Sequence, residues 1–154
     1  MIIKLKSLIL SFVPPALTGL LAFFSANGNF DIYKNLRLPP FAPPPVLFRW
    51  VWTALYIIMG VTFYLLSRCD SRRSKKASLY LYLSLPVNVL WVAIFFGLQN
   101  FTLAVFVLII LWLLVFLSAI YSSTCGRRVW LTYVPYLIWL SFAAYLNVGV
   151  ACLN

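Results

Sequence analysis

Long apolar stretches, interrupted by short polar segments, dominate the sequence. A helix needs roughly 20 apolar residues to cross the hydrocarbon of a bilayer, and we predict five such helices, at about 7–25, 46–66, 79–97, 102–121 and 130–151. Strands of a membrane barrel would alternate apolar and polar residues over segments of roughly 10, whereas residues 103–117 are apolar on every helical face. The pattern therefore predicts an all-α membrane protein, a bundle of five transmembrane helices in which residues 1–154 form one domain.

The composition supports a bilayer as the solvent of this chain. Of its 154 residues, 64% are hydrophobic and 9% are charged, too few to cover the apolar surface of a water-soluble fold. The first apolar stretch also has features of a secretory signal peptide, since lysines precede it and Ser25 and Ala26 follow. Its length and the internal Pro14 and Pro15 favour a membrane helix instead.

The distribution of positive charge predicts the orientation in the membrane. The formal net charge is +10. Most cations fall at the N-terminus and in the second and fourth loops, namely Lys4, Lys6, Arg68, Arg72, Arg73, Lys75, Lys76, Arg127 and Arg128. The positive-inside rule then places the N-terminus in the cytoplasm and the C-terminus outside, and we expect a multi-pass protein of a bacterial cell membrane. The cations do not form a patch on a soluble surface, so no nucleic-acid partner is expected. The basic second loop could instead bind anionic headgroups of membrane lipid, although orienting the chain is sufficient reason for its charge.

The three cysteines show no metal-binding or redox spacing. Cys69, Cys125 and Cys152 form no CxxC pair. The predicted orientation places the first two on the reducing side of the membrane and the third across it. We therefore expect neither a disulfide nor a metal site.

The polar chemistry that most enzymes and transporters use is missing. The chain has no histidine, and its only acids, Asp31 and Asp70, lie in predicted loops. This excludes a proton-coupling carboxylate at membrane depth, a hydrolase triad, a two-carboxylate mechanism and a histidine-ligated haem. Conventional catalysis is not expected.

Aromatic and amide side chains remain as candidate functional groups. The chain contains 6 Trp, 9 Tyr and 13 Phe. Part of this aromatic content belongs to the belts of Trp and Tyr at the membrane interfaces. At about 100° per residue, the second, third and fifth helices each carry a stripe, formed by Trp52, Tyr56, Met59 and Phe63, by Asn88, Trp91 and Phe95, and by Pro135, Trp139, Phe142 and Leu146. Such stripes indicate either ordinary helix packing or the walls of a pocket.

Two asparagines and two small residues refine this picture. An amide in hydrocarbon costs several kcal/mol unless it is hydrogen-bonded, so Asn88 and Asn147 should face the bundle interior. There they would either join helices or contact a ligand. Ala93 and Gly97 lie on nearly the opposite side of the third helix, where small residues favour close contact with a second copy of the chain.

The first loop, at about 26–45, is stiffened by proline. Residues 38–46 read LPPFAPPPV and cannot be helical, because prolines remove donors and force extended geometry on their neighbours. The loop is either a rigid connector or a lid over the outer mouth of the bundle. Arg37 and Arg49 are placed to meet carboxylates at that end.

Several short motifs along the chain match those of one family. They are YKNLRLP at 33–39, FAPP at 41–44, VWTALYIIMG at 51–60, NVLW at 88–91, FF at 95–96 and PYLIWLSFAAYLN at 135–147. They resemble the WYxxLxxP, FxPP, VWxxLYxxMG, NxxW, FF and PYLxWxxFAxxLN motifs of the TspO/MBR family, the tryptophan-rich sensory or translocator proteins. Four positions depart from the family pattern, at Ile32, Val46, Arg49 and Ser84.

The resemblance implies a five-helix bundle, commonly a homodimer, with a pocket beneath the first loop for porphyrins and drug-like ligands. Protoporphyrin IX is the implied ligand, and no covalently bound cofactor is expected. Together with the aromatic stripes, the resemblance gives a predicted ligand site of Tyr33, Pro43, Trp52, Tyr56, Asn88, Trp91, Phe95, Trp139, Phe142, Ala143, Leu146 and Asn147. In some bacterial relatives the tryptophans matching Trp52 and Trp139 are associated with light-dependent oxidative breakdown of protoporphyrin, which needs no acid or base.

The sequence thus supports one main hypothesis and two alternatives. The main hypothesis is a tetrapyrrole-binding membrane protein that acts in sensing, transport or photo-oxidative degradation of porphyrin. One alternative is a small exporter of lipophilic molecules, and the other is a scaffold that binds sterol or lipid. The vertebrate cholesterol motif is absent after Asn147, although residues 61–68 fit a loose sterol pattern.

Overall fold

A computed structural model describes residues 5–26 and 32–154. Lys4, Asp31 and part of the predicted first loop lie outside these residues. The helices are α1 (Leu5–Ser25), α2 (Ile32–Asn35), α3 (Pro45–Ser67), α4 (Arg72–Val92), α5 (Phe101–Ser122) and α6 (Arg127–Leu153). A π-helical turn at Ala93–Gly97 follows α4, and a 3₁₀ turn at Ser123–Cys125 follows α5.

Within the described residues, 5 helices are long and apolar enough to cross a membrane. They are α1, α3, α4 with its π-helical turn, α5 and α6, which confirms the predicted all-α bundle. The third span begins at Arg72, seven residues before the predicted start at 79. Its N-terminus is fixed by a capping box, in which the Ser71 and Ser74 side chains and backbone amides bond reciprocally. The prediction from apolar runs missed the first turns of this helix because they contain charged residues.

The first helix is an integral part of the bundle. It packs along α3 and α4, and the contact with α3 is close at two glycines. A Cβ on Gly60 would lie 2.5 Å from the Phe12 ring, and one on Gly19 would lie 3.1 Å from the Tyr56 ring. The signal-peptide alternative does not account for this packing.

The π-helical turn changes the direction of side chains at the end of α4. Leu98 N donates to Ala93 O at 2.9 Å, an i to i+5 bond. The constant rotation of about 100° per residue, assumed from the sequence, therefore does not extend through this turn. Ala93 and Gly97 are half-buried within the protomer, and their role in a dimer stays a prediction.

Different contacts join the loops at the two ends of the bundle. At one end, Arg37 N donates to Asn154 Oδ1 at 3.0 Å, so the first loop meets the C-terminus. At the other end, a disulfide joins Cys69 and Cys125. The prediction of no disulfide was wrong. Antiparallel helices bring the second and fourth loops together, with the two Cα atoms 5.7 Å apart, and the redox argument depended on an assumed orientation.

Most of the described basic residues cluster at the disulfide end, whereas Lys34, Arg37 and Arg49 belong to the first-loop end. Lys6 lies in the first turn of α1, Arg68 caps α3, and the α4 and α6 N-termini carry the remaining members of the set. The side of the membrane that this end faces stays a prediction, because the charge favours the cytoplasm and the disulfide favours an oxidising compartment.

Candidate functional site

An aromatic wall is formed by α3 and α4 near the first-loop end. The Trp52 ring centroid lies 5.9 Å from that of Tyr56 and 5.7 Å from that of Trp91. Trp91 in turn lies 5.8 Å from Phe95. The predicted stripes on these two helices therefore face each other.

A second aromatic row connects α6 to the first loop. The Phe48 ring lies 5.5 Å from Trp139 and 5.0 Å from Tyr33, and Trp139 lies 5.7 Å from Phe142. Sequence reasoning missed Phe48. Its position four residues before Trp52 places it on the same helical stripe, so the signal was present.

The first loop is anchored to α6 by hydrogen bonds and close packing. The Tyr145 hydroxyl donates to Pro40 O at 3.0 Å, and a Cβ on Gly149 would lie 2.6 Å from Pro39. The Tyr33 hydroxyl donates to Pro43 O at 3.1 Å. Burial raises the pKa of Tyr33 to about 12, so this hydroxyl remains a donor at ordinary pH. The loop thus covers this end of the bundle.

The two asparagines have different roles. Both amide groups of Asn147 are used within the protein, because Oδ1 accepts from Trp91 Nε1 at 3.0 Å and Nδ2 donates to Phe101 O at 2.9 Å. Asn88 Oδ1 accepts from the Tyr56 hydroxyl at 2.9 Å. Asn147 therefore joins α4, α5 and α6. In Asn88 only Oδ1 is hydrogen-bonded, and Nδ2 has no partner among the described residues.

Three buried donors in this region have no hydrogen-bond partner among the described residues. They are Asn88 Nδ2, the Tyr136 hydroxyl and Trp139 Nε1. Tyr136 lies near enough to Asn88 and Tyr56 to interact with both, yet its hydroxyl makes no hydrogen bond of ordinary geometry. Most buried polar groups are paired, so an unpaired set in one place calls for an explanation.

The space between these walls is small. It measures about 20 Å³, whereas sites for small organic ligands are typically about 300–1,000 Å³. It is lined by Tyr33, Phe48, Trp91, Phe95, Phe96, Ala143, Leu146, Asn147 and Val150. A macrocycle cannot enter this conformation unless the first loop and some of the aromatic side chains move.

The predicted site residues fall into three groups. Six of them line the space, namely Tyr33, Trp91, Phe95, Ala143, Leu146 and Asn147. Pro43, Trp52 and Trp139 contact lining residues directly. Tyr56, Asn88 and Phe142 lie one contact further out, since Tyr56 contacts Trp52 and Asn88, and Phe142 contacts Trp139.

Sequence reasoning also missed Phe96, Val150 and Tyr136. Phe95 and Phe96 are adjacent, yet both line the space because they lie in the π-helical turn. In the sequence, the FF motif was the signal that both rings belong to the site. Val150 continues the α6 stripe one turn beyond Leu146.

Similarity to one known family extends across nearly the whole chain. The model of the TspO/MBR family matches residues 10–153. The chain belongs to the TspO/MBR family.

Individual TspO/MBR proteins from distant organisms are similar to this chain. The protein CrtK of Rhodobacter capsulatus is 33% identical over 135 residues, covering 86% of this chain and 82% of the relative. The tryptophan-rich protein TspO of Archaeoglobus fulgidus is 31% identical over 153 residues, covering 99% and 98%. The translocator protein of Bos taurus is 30% identical over 137 residues, covering 86% and 81%. Because these relatives come from such distant organisms, the bacterial source stays a prediction.

Proposed function

We propose that this TspO/MBR membrane protein binds a flat tetrapyrrole, such as protoporphyrin IX, beneath the first loop. One observation carries the proposal, the three unpaired donors of Asn88, Tyr136 and Trp139 beside aromatic rings. Unpaired buried donors destabilise the protein when no acceptor is present. Nitrogen, oxygen or π-system acceptors of a ligand would pair them.

The chemistry of the walls suits such a ligand. Aromatic rings offer flat apolar surface for stacking, and Trp52, Trp91 and Phe48 supply it from two sides. Arg37 and Arg49 are exposed at the first-loop end, where they would meet the propionate carboxylates of a porphyrin.

Binding requires a more open conformation of the same bundle. The first loop is tied to α6 and the C-terminus by a few hydrogen bonds, among them those of Tyr145 with Pro40 and Asn154 with Arg37. A ligand that binds only the open state shifts the population towards it by its differential affinity. We infer that loop release, rather than a preformed cavity, controls access.

The fate of the bound ligand separates sensing, transport and degradation. Trp52 on α3 and Trp139 on α6 flank the site through Trp91 and Phe48, which keeps photo-oxidative degradation as a second candidate. Light- and oxygen-dependent loss of the porphyrin spectrum in wild type, but not in Trp52→Phe, would support degradation. Equal bleaching in both proteins would leave sensing or transport as the function.

The binding proposal is tested by titrating the purified protein in detergent with protoporphyrin IX and following the porphyrin absorbance. Trp139→Phe keeps a ring but removes the unpaired Nε1 donor, so we expect about tenfold weaker binding. Trp130→Phe, at the exposed start of α6, is the matched control and should bind as wild type. No saturable binding by wild type, or an equal loss in both variants, would overturn the proposal.

A further inference from the structure

A groove opens between α1, α3 and α4 at the disulfide end of the bundle. Its volume is about 420 Å³, which falls within the usual range for organic ligands. It lies at the opposite end from the site beneath the first loop, and none of its lining residues belongs to that site. It faces the lipid side of the bundle, because α1 and α4 contribute exposed residues to it.

Most polar side chains line this groove near the helix ends, and Ser11, one turn deeper on α1 beside Leu10, donates its hydroxyl to Ser7 O at 2.8 Å. Lys6, Ser7, Ser67 and Ser78 line the part nearest the helix ends. The Ser67 hydroxyl donates to Tyr64 O at 2.7 Å and lies 3.4 Å from the Ser7 hydroxyl oxygen, so its one hydrogen is used within α3 and it can only accept from Ser7. The mouth of the groove therefore offers a cation beside the hydroxyls of Ser7 and Ser78, a combination that suits a phosphate group.

Aromatic rings form the wall one helical turn deeper. Phe63 lies one turn before Ser67 on α3, and Tyr82 lies one turn beyond Ser78 on α4. Their ring centroids are 4.5 Å apart. This part of the groove suits an apolar chain and has no cation.

The electrostatics of this end favour an anionic occupant. Two of the α4 cations are directed at another ring, because Arg73 lies 5.8 Å and Lys76 lies 5.4 Å from the Tyr121 centroid. Lys75 lies 3.9 Å from Asp70. Lys6 is the cation among the described residues that lines the groove itself. A second copy of the chain docked here would bring two basic ends together, which like-charge repulsion opposes.

We propose that this groove binds an anionic phospholipid. The lipid phosphate contacts Lys6 and the hydroxyls of Ser7 and Ser78, and the first carbons of an acyl chain lie along Phe63 and Tyr82. Membranes supply such lipids at the surface that attracts basic segments. The lipid fills the groove and joins α1 to α3 and α4.

Delipidated protein in detergent tests this proposal with phosphatidylglycerol, phosphatidylcholine and inorganic phosphate as probes. We expect phosphatidylglycerol to raise the thermal midpoint more than phosphatidylcholine, and native mass spectrometry to show one retained phosphatidylglycerol. In Lys6→Gln its affinity should fall about fivefold, since one cation near a membrane surface contributes about that factor.

The matched control is Arg128→Gln, which removes an exposed cation of the same end that does not line the groove. It should retain phosphatidylglycerol like wild type. Ser78→Phe should exclude the lipid by filling the groove mouth, without altering porphyrin binding at the other end.

Several outcomes would overturn the proposal. Equal effects of phosphatidylglycerol and phosphatidylcholine would show that no headgroup is recognised, and an equal effect of inorganic phosphate would show a simple ion site. Equal losses in Lys6→Gln and Arg128→Gln would reduce the effect to general surface charge. A dimer that Ser78→Phe abolishes and that phosphatidylglycerol does not affect would assign the groove to a second copy of the chain.

Discussion

The two ends of this bundle differ both in open volume and in unpaired polar groups, and the two differences point to different ends as the ligand site. The disulfide end holds an open groove of about 420 Å³ lined by serines, Lys6 and two rings. The first-loop end holds only about 20 Å³ between aromatic walls. Near the smaller space, Asn88, Tyr136 and Trp139 have buried donors without a partner among the described residues, whereas the other such group, the Tyr64 hydroxyl, lies on α3 towards the disulfide end.

Open volume and unpaired polar groups therefore report different properties of a site. An open groove on the lipid side forms wherever small side chains leave the helices apart, and lipid can fill it without any change in the protein. A closed aromatic site with unpaired donors is a state of higher free energy that a ligand can relieve.

The largest effect is expected at the disulfide end. Replacing Cys69 or Cys125 by serine removes the bond between the second and fourth loops, and should lower the free energy of unfolding by about 2–4 kcal/mol. The measurement is the thermal midpoint in detergent with and without reductant. Cys152→Ser is the matched control, since Cys152 is exposed and free. A midpoint that reductant does not change in wild type would contradict the disulfide.

The same cysteines can decide the orientation. Cys152 lies near the C-terminus, at the first-loop end, and the disulfide lies at the opposite end. If the C-terminus is outside, a membrane-impermeant maleimide should label Cys152 in intact cells. Labelling only after lysis would place the disulfide end outside and the positive-inside prediction would be wrong.

At the first-loop end, the Asn147 amide should stabilise the fold, whereas the Asn88 amide should contribute more to ligand binding. Asn147→Leu leaves Trp91 Nε1 and Phe101 O unpaired, so it should lower the free energy of unfolding by about 1–3 kcal/mol. Asn88→Leu removes only the acceptor of the Tyr56 hydroxyl, so it should lower the free energy of unfolding by less. Thermal midpoints in detergent compare the two variants. A larger loss in Asn88→Leu would show that the roles are reversed.

How much of this could be predicted from the sequence depends on the range of the interaction. Apolar runs predicted all five spans, because crossing a bilayer is a property of each segment alone. The start of α4 at Arg72 was missed because the capping box of Ser71 and Ser74 holds charged residues in the helix. The disulfide of Cys69 with Cys125 depends on two loops meeting in space, which the spacing of cysteines does not reveal.

The site shows the same division. The stripes that contain Trp52, Asn88 and Trp139 predicted which helix faces converge, because helical periodicity is local. The π-helical turn that directs both Phe95 and Phe96 inward breaks that periodicity. The closed state could not be predicted either, since it depends on how the first loop packs against Gly149 of α6.

A third prediction concerns two glycines, one at each end. In Gly149→Ala the new Cβ would lie 2.6 Å from Pro39, so the first loop should move away from α6 and its amides should exchange hydrogen faster. Gly126→Ala meets no atom within 4 Å but has a φ of +99°, and should cost about 1 kcal/mol through backbone strain. Gly126→Ala should leave exchange in the first loop unchanged. Unaltered hydrogen exchange in the first loop of Gly149→Ala would show that this contact does not hold the loop against α6.

Comparing Tyr136→Phe with Tyr133→Phe tests whether the unpaired donors bind a ligand. Both hydroxyls are buried on α6, but that of Tyr133 bonds Ser118 at 2.7 Å and that of Tyr136 has no partner among the described residues. Each variant is titrated with protoporphyrin IX and melted in detergent. We expect Tyr136→Phe to be at least as stable as wild type and to bind about fivefold more weakly, and Tyr133→Phe to be about 1 kcal/mol less stable with unchanged affinity. Wild-type affinity in Tyr136→Phe, or a loss of stability as large as in Tyr133→Phe, would contradict the account.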